Sequence, residues 1–239
     1  MKFIDIHSHI IFNVDDGSKS LEESLEALQQ IKKIGMTDVV CTPHFCHIKL
    51  SKVDLVKKNF LELKKYAKEM GINLYLGNEI LYSTKMIELL DTKKLIGLNK
   101  SKYVLLEFKR NENMPINNIV LVIEELKEKG YKPILAHPEL YRNYLDIEKV
   151  KKIKDAGAML QIDATSVLRK TRRASRKFAN KLLKEKLVDI VASDTHCNKF
   201  RNYISFNKGY KRIKRKYGKE YSQIIFYENP ARILGIKEK

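Results

Sequence analysis

Cysteine is scarce in this chain of 239 residues, which holds only Cys41, Cys46 and Cys197. Three is too few, and odd in number, for a disulfide framework. Long hydrophobic runs are missing too, and no stretch approaches the roughly 18 consecutive apolar residues of a membrane span. The opening Met1-Lys2-Phe3-Ile4-Asp5-Ile6-His7 carries charge and histidine where a secretory signal needs its apolar segment. Together these features predict a cytoplasmic protein. The chain has no Walker-type loop and no G-x-G-x-x-G fingerprint, so nucleotide binding in those two modes is not supported. Low-complexity linkers, internal repeats and breaks in composition are also lacking, which predicts one domain over residues 1–239. Acidic residues are outnumbered, 29 against 47 basic ones, giving a formal charge of +18. Such a field attracts polyanions (nucleic acid, anionic lipid, phosphorylated or acidic polypeptide) without choosing among them.

What is present is a regular alternation. Short apolar stretches at 3–6, 38–42, 73–78, 103–108, 133–136, 158–163 and 189–193 read as buried strands. Amphipathic segments lie between them. Ser20-Leu21-Glu22-Glu23 is a capping box, and Leu21, Leu25, Leu28 and Ile31 follow at helical spacing until Gly35. Further helices are expected from Ser51 to Gly71, over 116–129, from Asp146 to Gly157, over 172–186 and over 200–217. Strands alternating with helices imply an α/β fold with a mostly parallel sheet. At this length a barrel of about seven βα units is the economical arrangement.

Five of the six histidines follow predicted strands directly: His7 and His9, His44, His137 and His196. Glu79, Glu107 and Asp194 stand at the same level. Taken singly, such residues are more often hydrogen-bonded loop groups, and Asp15-Asp16-Gly17 could be only a turn. Taken together, they occupy the strand ends that converge on the active site of a βα barrel. A donor set of nitrogen and oxygen without sulfur suits Zn, Mn or Fe better than Ca. It exceeds what one ion can accept, so two or three divalent ions are implied.

His7-Ser8-His9, Thr42-Pro43-His44, Glu79, Glu107, Ala136-His137-Pro138 and Ser193-Asp194-Thr195-His196 resemble the PHP (polymerase and histidinol phosphatase) superfamily. Within it, Val14-Asp15-Asp16-Gly17, Gly77-Asn78-Glu79-Ile80, Leu106-Glu107-Phe108 and Asn229-Pro230 are similar to the bacterial metal-dependent protein-tyrosine phosphatases of capsule and exopolysaccharide synthesis. The resemblance implies a distorted (β/α)7 barrel. It also implies three metal ions: one held by His7, His9, Glu79 and Asp194, a second by Glu79 with Glu107 and His137, and a third by Asp16, His44 and His196. Asp16 is preferred by its spacing from His9, with Asp15 as the alternative. Mn is the first expectation, with Fe, Zn or Co as others. The family pattern also places two arginines near the substrate phosphate. Arg201 matches one; Leu140 stands where the other belongs, and Arg142 is the expected substitute.

The implied partner is a phosphotyrosine protein, the tail of a tyrosine autokinase. The strip 169–177, with six basic residues in nine, would dock such a tail or is simply a solvated helix start. Thiol-based phosphatase chemistry is excluded by counting, because His47, Lys52 and Tyr203 stand six residues after the three cysteines, where that chemistry needs arginine. His47 is the one histidine outside the constellation. Two rival readings remain: a small-molecule phosphatase of the histidinol-phosphate kind or a PHP-type nuclease, and a binding module without catalysis.

Overall fold

The computed structural model describes residues 3–45, 52–90, 96–110, 112–197 and 200–236. Among the described residues nine short strands carry the frame: β1 (Ile4–Asp5), β2 (Asp38–Cys41), β3 (His44–Phe45), β4 (Asn73–Leu76), β5 (Glu79–Leu81), β6 (Tyr103–Glu107), β7 (Lys132–Ala136), β8 (Met159–Asp163) and β9 (Ile190–Ala192). All pair in parallel, in the orders β1-β2-β4 and β3-β5-β6-β7-β8-β9. Past the second and third expected stretches, 38–42 and 73–78, the chain resumes in further short strands, β3 and β5, so each of these two strands is longer than expected and broken in two. Between β2 and β3 stands Thr42-Pro43, where proline has no N–H for a ladder. Between β4 and β5 stands Gly77-Asn78. Counting each broken strand once leaves seven positions. The ring closes through the bridge Ser8↔Thr195, with His9 N–H donating to the Thr195 carbonyl at 2.9 Å and Asp194 N–H to the His7 carbonyl at 3.0 Å. The result is a distorted (β/α)7 barrel, as expected.

The helices form where sequence periodicity puts them. α1 (Leu21–Lys33) is capped by Ser20, which accepts from Glu23 N–H at 3.4 Å. The Glu23 carboxylate accepts from Lys19 N–H at 2.6 Å, one residue upstream of the box expected. Gly35, at φ 73°, ends the turn in the left-handed region. α2 (Val53–Glu69) follows; its expected start at Ser51 lies outside the described residues. α3 (Thr84–Leu90) was not anticipated. α4 (Ile116–Glu128), α5 (Ile147–Asp155, capped by Asp146), α6 (Arg173–Lys184) and α7 (Tyr203–Tyr217) fall within the expected spans.

Two apolar clusters support the barrel. Ile4, Ile6, Val40, Leu105, Ile134, Ala136, Ile190 and Ala192, drawn from five strands and their exits, pack with Tyr227, Ala231, Ile233 and Leu234 of the C-terminal segment. That segment contains α8 (Lys219–Gln223) and α9 (Asn229–Leu234). The neighbouring strand residues Val39, Cys41, Leu74, Val104, Leu106, Leu135, Leu160, Ile162 and Val191 meet the helices in the larger cluster. This is the two-residue alternation of a barrel wall covered on both faces.

Candidate metal centre

The strand ends deliver imidazoles and carboxylates to one mouth. In the ladder His44 is the direct partner of Glu79, so breaking both strands at the same level sets these two side by side. The β7 and β9 exits are strained: His137 at φ 35° and Asp194 at φ 45° hold left-handed backbone that non-glycine residues seldom adopt. Such strain costs about 1–3 kcal/mol per residue and concentrates at functional sites.

Glu79 lies at the middle, its side chain 1% exposed. Its Oε2 is 3.3 Å from His7 Nε2, 3.2 Å from His9 Nε2 and 2.9 Å from His44 Nδ1, and its Oε1 is 2.9 Å from His137 Nε2. Asp194 Oδ1 is 3.3 Å from His7 Nε2 and 3.4 Å from both His9 Nε2 and His196 Nδ1. Glu107 stands 3.6 Å from His137 and 3.8 Å from His44. Asp16 Oδ1 is 3.2 Å from His44 Nε2 and 3.6 Å from His196 Nε2. The structure therefore joins all nine sequence-predicted donors into one continuous cluster.

These donors fit divalent cations better than they fit one another. His7 Nε2 and His9 Nε2 face each other at 3.1 Å. Glu79 Oε2 is buried without a properly directed hydrogen bond, although three imidazole nitrogens surround it. Among the described residues, three overlapping groups have their donor atoms within 4.8 Å of one another: His9, Asp16, His44 and His196; His7, His9 and Glu79; and His44, Glu79 and Glu107. Mixed nitrogen and carboxylate donors at such spacing suit first-row divalent metals.

The carboxylates of the cluster favour protons on several of its imidazoles. Burial alone would lower the His7 pKa, but the Glu79 and Asp194 carboxylates overcome it and lift it to about 9. His44 is lifted to about 9 in the same way, by Asp16 and Glu79 against burial. His196 goes the other way, to about 4, because burial and the nearby His9 charge outweigh Asp194. Glu79 and Asp194 stay well below the ordinary carboxylate range: burial opposes ionisation, and the surrounding imidazoles win.

A supporting layer, mostly unread in the sequence, holds the cluster. Asp15 Oδ2 accepts from His9 Nδ1 at 2.9 Å and from His44 N–H at 3.1 Å. Gln161 Oε1 meets His7 Nδ1 at 2.8 Å. Both contacts turn the Nε2 atoms toward the centre, as outer partners of metal-binding histidines do. Asp5 accepts from Ser193 N–H at 2.9 Å, Ser193 Oγ at 2.5 Å and the Tyr203 hydroxyl at 3.0 Å, bolting β1, β9 and α7 together beneath the site. Gly17 passes so close to His9 that a Cβ there would lie 2.1 Å from the His9 carbonyl oxygen. Asp163, at the end of β8, is pushed up to about 6 and Glu139 to about 8, each first by burial and then by the other or a neighbouring carboxylate. β8 was the one late strand whose end the sequence reading left without a candidate, and its position alone could have flagged Asp163.

The arginines divide differently from expectation. Arg201 Nη1 lies 2.7 Å from Asp194 Oδ2 and 3.5 Å from His196 Nδ1, at the cluster. Arg142 does not reach it. It lines a surface groove with Leu145, Asp146, Ala174, Lys177 and Phe178, because the turn after His137 sends residue 142 outward. The guanidinium missed in the sequence is Arg110, whose Nη2 lies 3.3 Å from Glu107 Oε1. Its signal was placement: like Arg201, it follows a strand-end carboxylate by a few residues. Leu140, Asp163, Phe200 and Arg201 line a cavity of about 180 Å³ beside the cluster. Cys41 is buried and its thiol pushed far up by that burial; Cys197 is raised to about 12 by the same cause. Neither is a nucleophile. Cys46 and His47 lie outside the described residues.

Known proteins share the sequence pattern and the fold of this chain. The family model for capsular polysaccharide synthesis, CpsB/CapC, matches residues 3–235. CapC of Staphylococcus aureus is 38% identical over 197 residues, covering 81% of this chain and 76% of CapC. The tyrosine-protein phosphatase CpsB of Streptococcus agalactiae serotype III is 34% identical over 240 residues, covering 97% of this chain and 98% of CpsB. A solved structure of the metal-dependent tyrosine phosphatases YwqE of Bacillus subtilis and CpsB of Streptococcus pneumoniae superposes with TM-score 0.83. It covers 98% of this chain and 95% of its own at 24% identity, a likeness of fold.

Proposed function

The chain belongs to the CpsB/CapC family of capsular polysaccharide synthesis, and on that premise we propose that it is a metal-dependent protein-tyrosine phosphatase acting as one domain over 1–239. The observation that carries the reading is the cluster of five imidazoles and four carboxylates around Glu79, more donors than a single ion accepts. His7, His9, Glu79 and Asp194 would hold one divalent ion, Glu79 with Glu107 and His137 a second, and Asp16, His44 and His196 a third. Mn is the first expectation, with Fe, Zn or Co as alternatives. Such ions, when bound, acidify water toward neutral pH and neutralise phosphoryl oxygens.

The chain's own residues do the rest. Arg201, at the edge of the cluster, pairs two phosphoryl oxygens through its planar fork. Asp15 and Gln161 hold His9 and His7 in the tautomers that present Nε2 inward. Leu140 and Phe200, on the cavity beside Arg201, offer apolar surface to an aryl group. A phenolate leaving group has a pKa of about 10, so it needs less help from an acid than an alkyl ester does. Among the described residues, burial holds both cysteine thiols, Cys41 and Cys197, away from the thiolate form.

The substrate in this reading is the phosphotyrosine tail of a tyrosine autokinase, met in the cytoplasm. Arg169, Lys170, Arg172, Arg173, Arg176 and Lys177 supply its electrostatic docking strip. Lys170 lines the same cavity as Arg201, which puts the start of that strip beside the site. No helix among the described residues is long and apolar enough to cross a membrane.

The test is a hydrolysis panel on Mn-loaded protein: phosphotyrosine peptide, phosphoserine peptide, histidinol phosphate and single-stranded DNA. Preferred cleavage of the phosphotyrosine peptide is expected. Preference for histidinol phosphate or DNA would replace the proposed substrate, and inertness toward all four would leave only a binding role.

A further inference from the structure

We propose that Arg110 and Arg201 form a two-sided guanidinium clamp for the phosphoryl oxyanion over the metal cluster, an inference that rests on the phosphatase reading above. The two arginines reach the cluster from different sides. Arg201 meets Asp194, which neighbours His7, His9 and His196. Arg110 meets Glu107, which neighbours His44 and His137.

The loop that bears Arg110 is held in place. Phe108, buried, donates its N–H to the Tyr141 hydroxyl at 3.1 Å, and the Tyr141 ring packs edge-on against His137 at 5.7 Å. The side chains of the loop then part company. Lys109 turns to solvent and pairs with Glu112 at 2.7 Å, whereas Arg110 turns to the cluster. Its side chain is still 41% exposed, so an incoming substrate can reach it. Among the described residues, its one ion pair is with Glu107. Leu140, just past β7, lines the cavity beside Arg201 and carries no charge with which to meet an anion there. A planar fork can serve Glu107 and a phosphate oxygen at once, which a point-charge ammonium cannot reproduce.

The experiment measures inorganic phosphate binding to Mn-loaded protein by calorimetry, alongside KM and kcat for phosphotyrosine peptide and metal content. Arg110→Ala should weaken phosphate binding and raise KM by roughly 10- to 100-fold, the loss of one charge-assisted contact. Metal content should be unchanged, and Arg110→Lys should fall between the two. Arg215→Ala, an exposed arginine of α7, should match the wild type. Wild-type phosphate affinity in a folded, metal-loaded Arg110→Ala protein would overturn the clamp. So would loss of metal from Arg110→Gln, since Arg110 would then act only by holding Glu107. If the wild type binds phosphate through Arg110 yet cleaves no phosphotyrosine, the clamp stands and the phosphatase reading falls.

Discussion

His9 Nδ1 lies 2.9 Å from Asp15 Oδ2, and this contact divides the work of two adjacent carboxylates. Asp15 is buried, held by the N–H groups of Gly17 and His44, and spends its charge on orienting His9. Asp16, whose side chain is 67% exposed, faces His44 and His196 and remains available as a donor. Asp15→Asn should therefore lower metal affinity about 10- to 100-fold, the usual effect of losing an outer partner. Asp16→Ala should reduce the number of ions bound by one while His9 stays fixed. Metal counting by mass spectrometry separates the two, and the reverse pattern would exchange their roles.

Chelation should abolish hydrolysis, and Mn, Co or Fe should restore it. Thiol alkylation should have little effect, because the reaction would draw its nucleophile from the metal centre, and the described cysteines, Cys41 and Cys197, are held far from ionisation at neutral pH by burial. Activity that survives exhaustive chelation would defeat the metal mechanism.

Metal loading should strengthen with pH. His7 and His44 have folded pKa values of about 9 against an ordinary 6.5. Their protons stabilise the metal-free fold fully below pH 6.5, and that contribution is lost as pH rises through about 9. Cations must displace these protons, so apparent affinity should climb across that window with proton release. Calorimetry in buffers of different ionisation enthalpy would measure it; a flat affinity would mean that the imidazoles are already neutral.

Alanine at His9, Glu79 or Asp194 should cut turnover by several orders of magnitude, since each meets several other donors of the cluster. His47→Ala should leave most activity. Equal damage from His47→Ala and His9→Ala, read as kcat on phosphotyrosine peptide, would mean that the cluster has been drawn around the wrong residues.

Arg201→Ala should cost about 2–3 kcal/mol, roughly 30- to 150-fold in kcat/KM, with Arg201→Lys less affected. Arg142→Ala should be silent toward a small aryl phosphate, because Arg142 lines a groove away from the cluster. A silent Arg201→Ala would remove its phosphate-binding role.

The alternation of apolar stretches and amphipathic segments already specified a parallel βα barrel, because strand and helix periods are local properties of the chain. The same logic located His7, His9, His44, Glu79, Glu107, His137, Asp194 and His196: a residue just past a strand must emerge at the C-terminal mouth, wherever it lies in sequence. What the residues beyond the first step of each loop do was decided only by tertiary structure. Neighbouring Asp15 and Asp16 differ because the loop folds back over His9, where Gly17 alone permits the approach. Arg142 lines an outer groove while Arg110 meets Glu107, and the hydroxyl of Tyr141 ties their two loops together. Gln161 and Asp5 acquire their roles from partners 154 and 188 residues away. Periodicity reports which face a residue takes within its own element, whereas a loop side chain takes its direction from contacts that form only when the barrel closes.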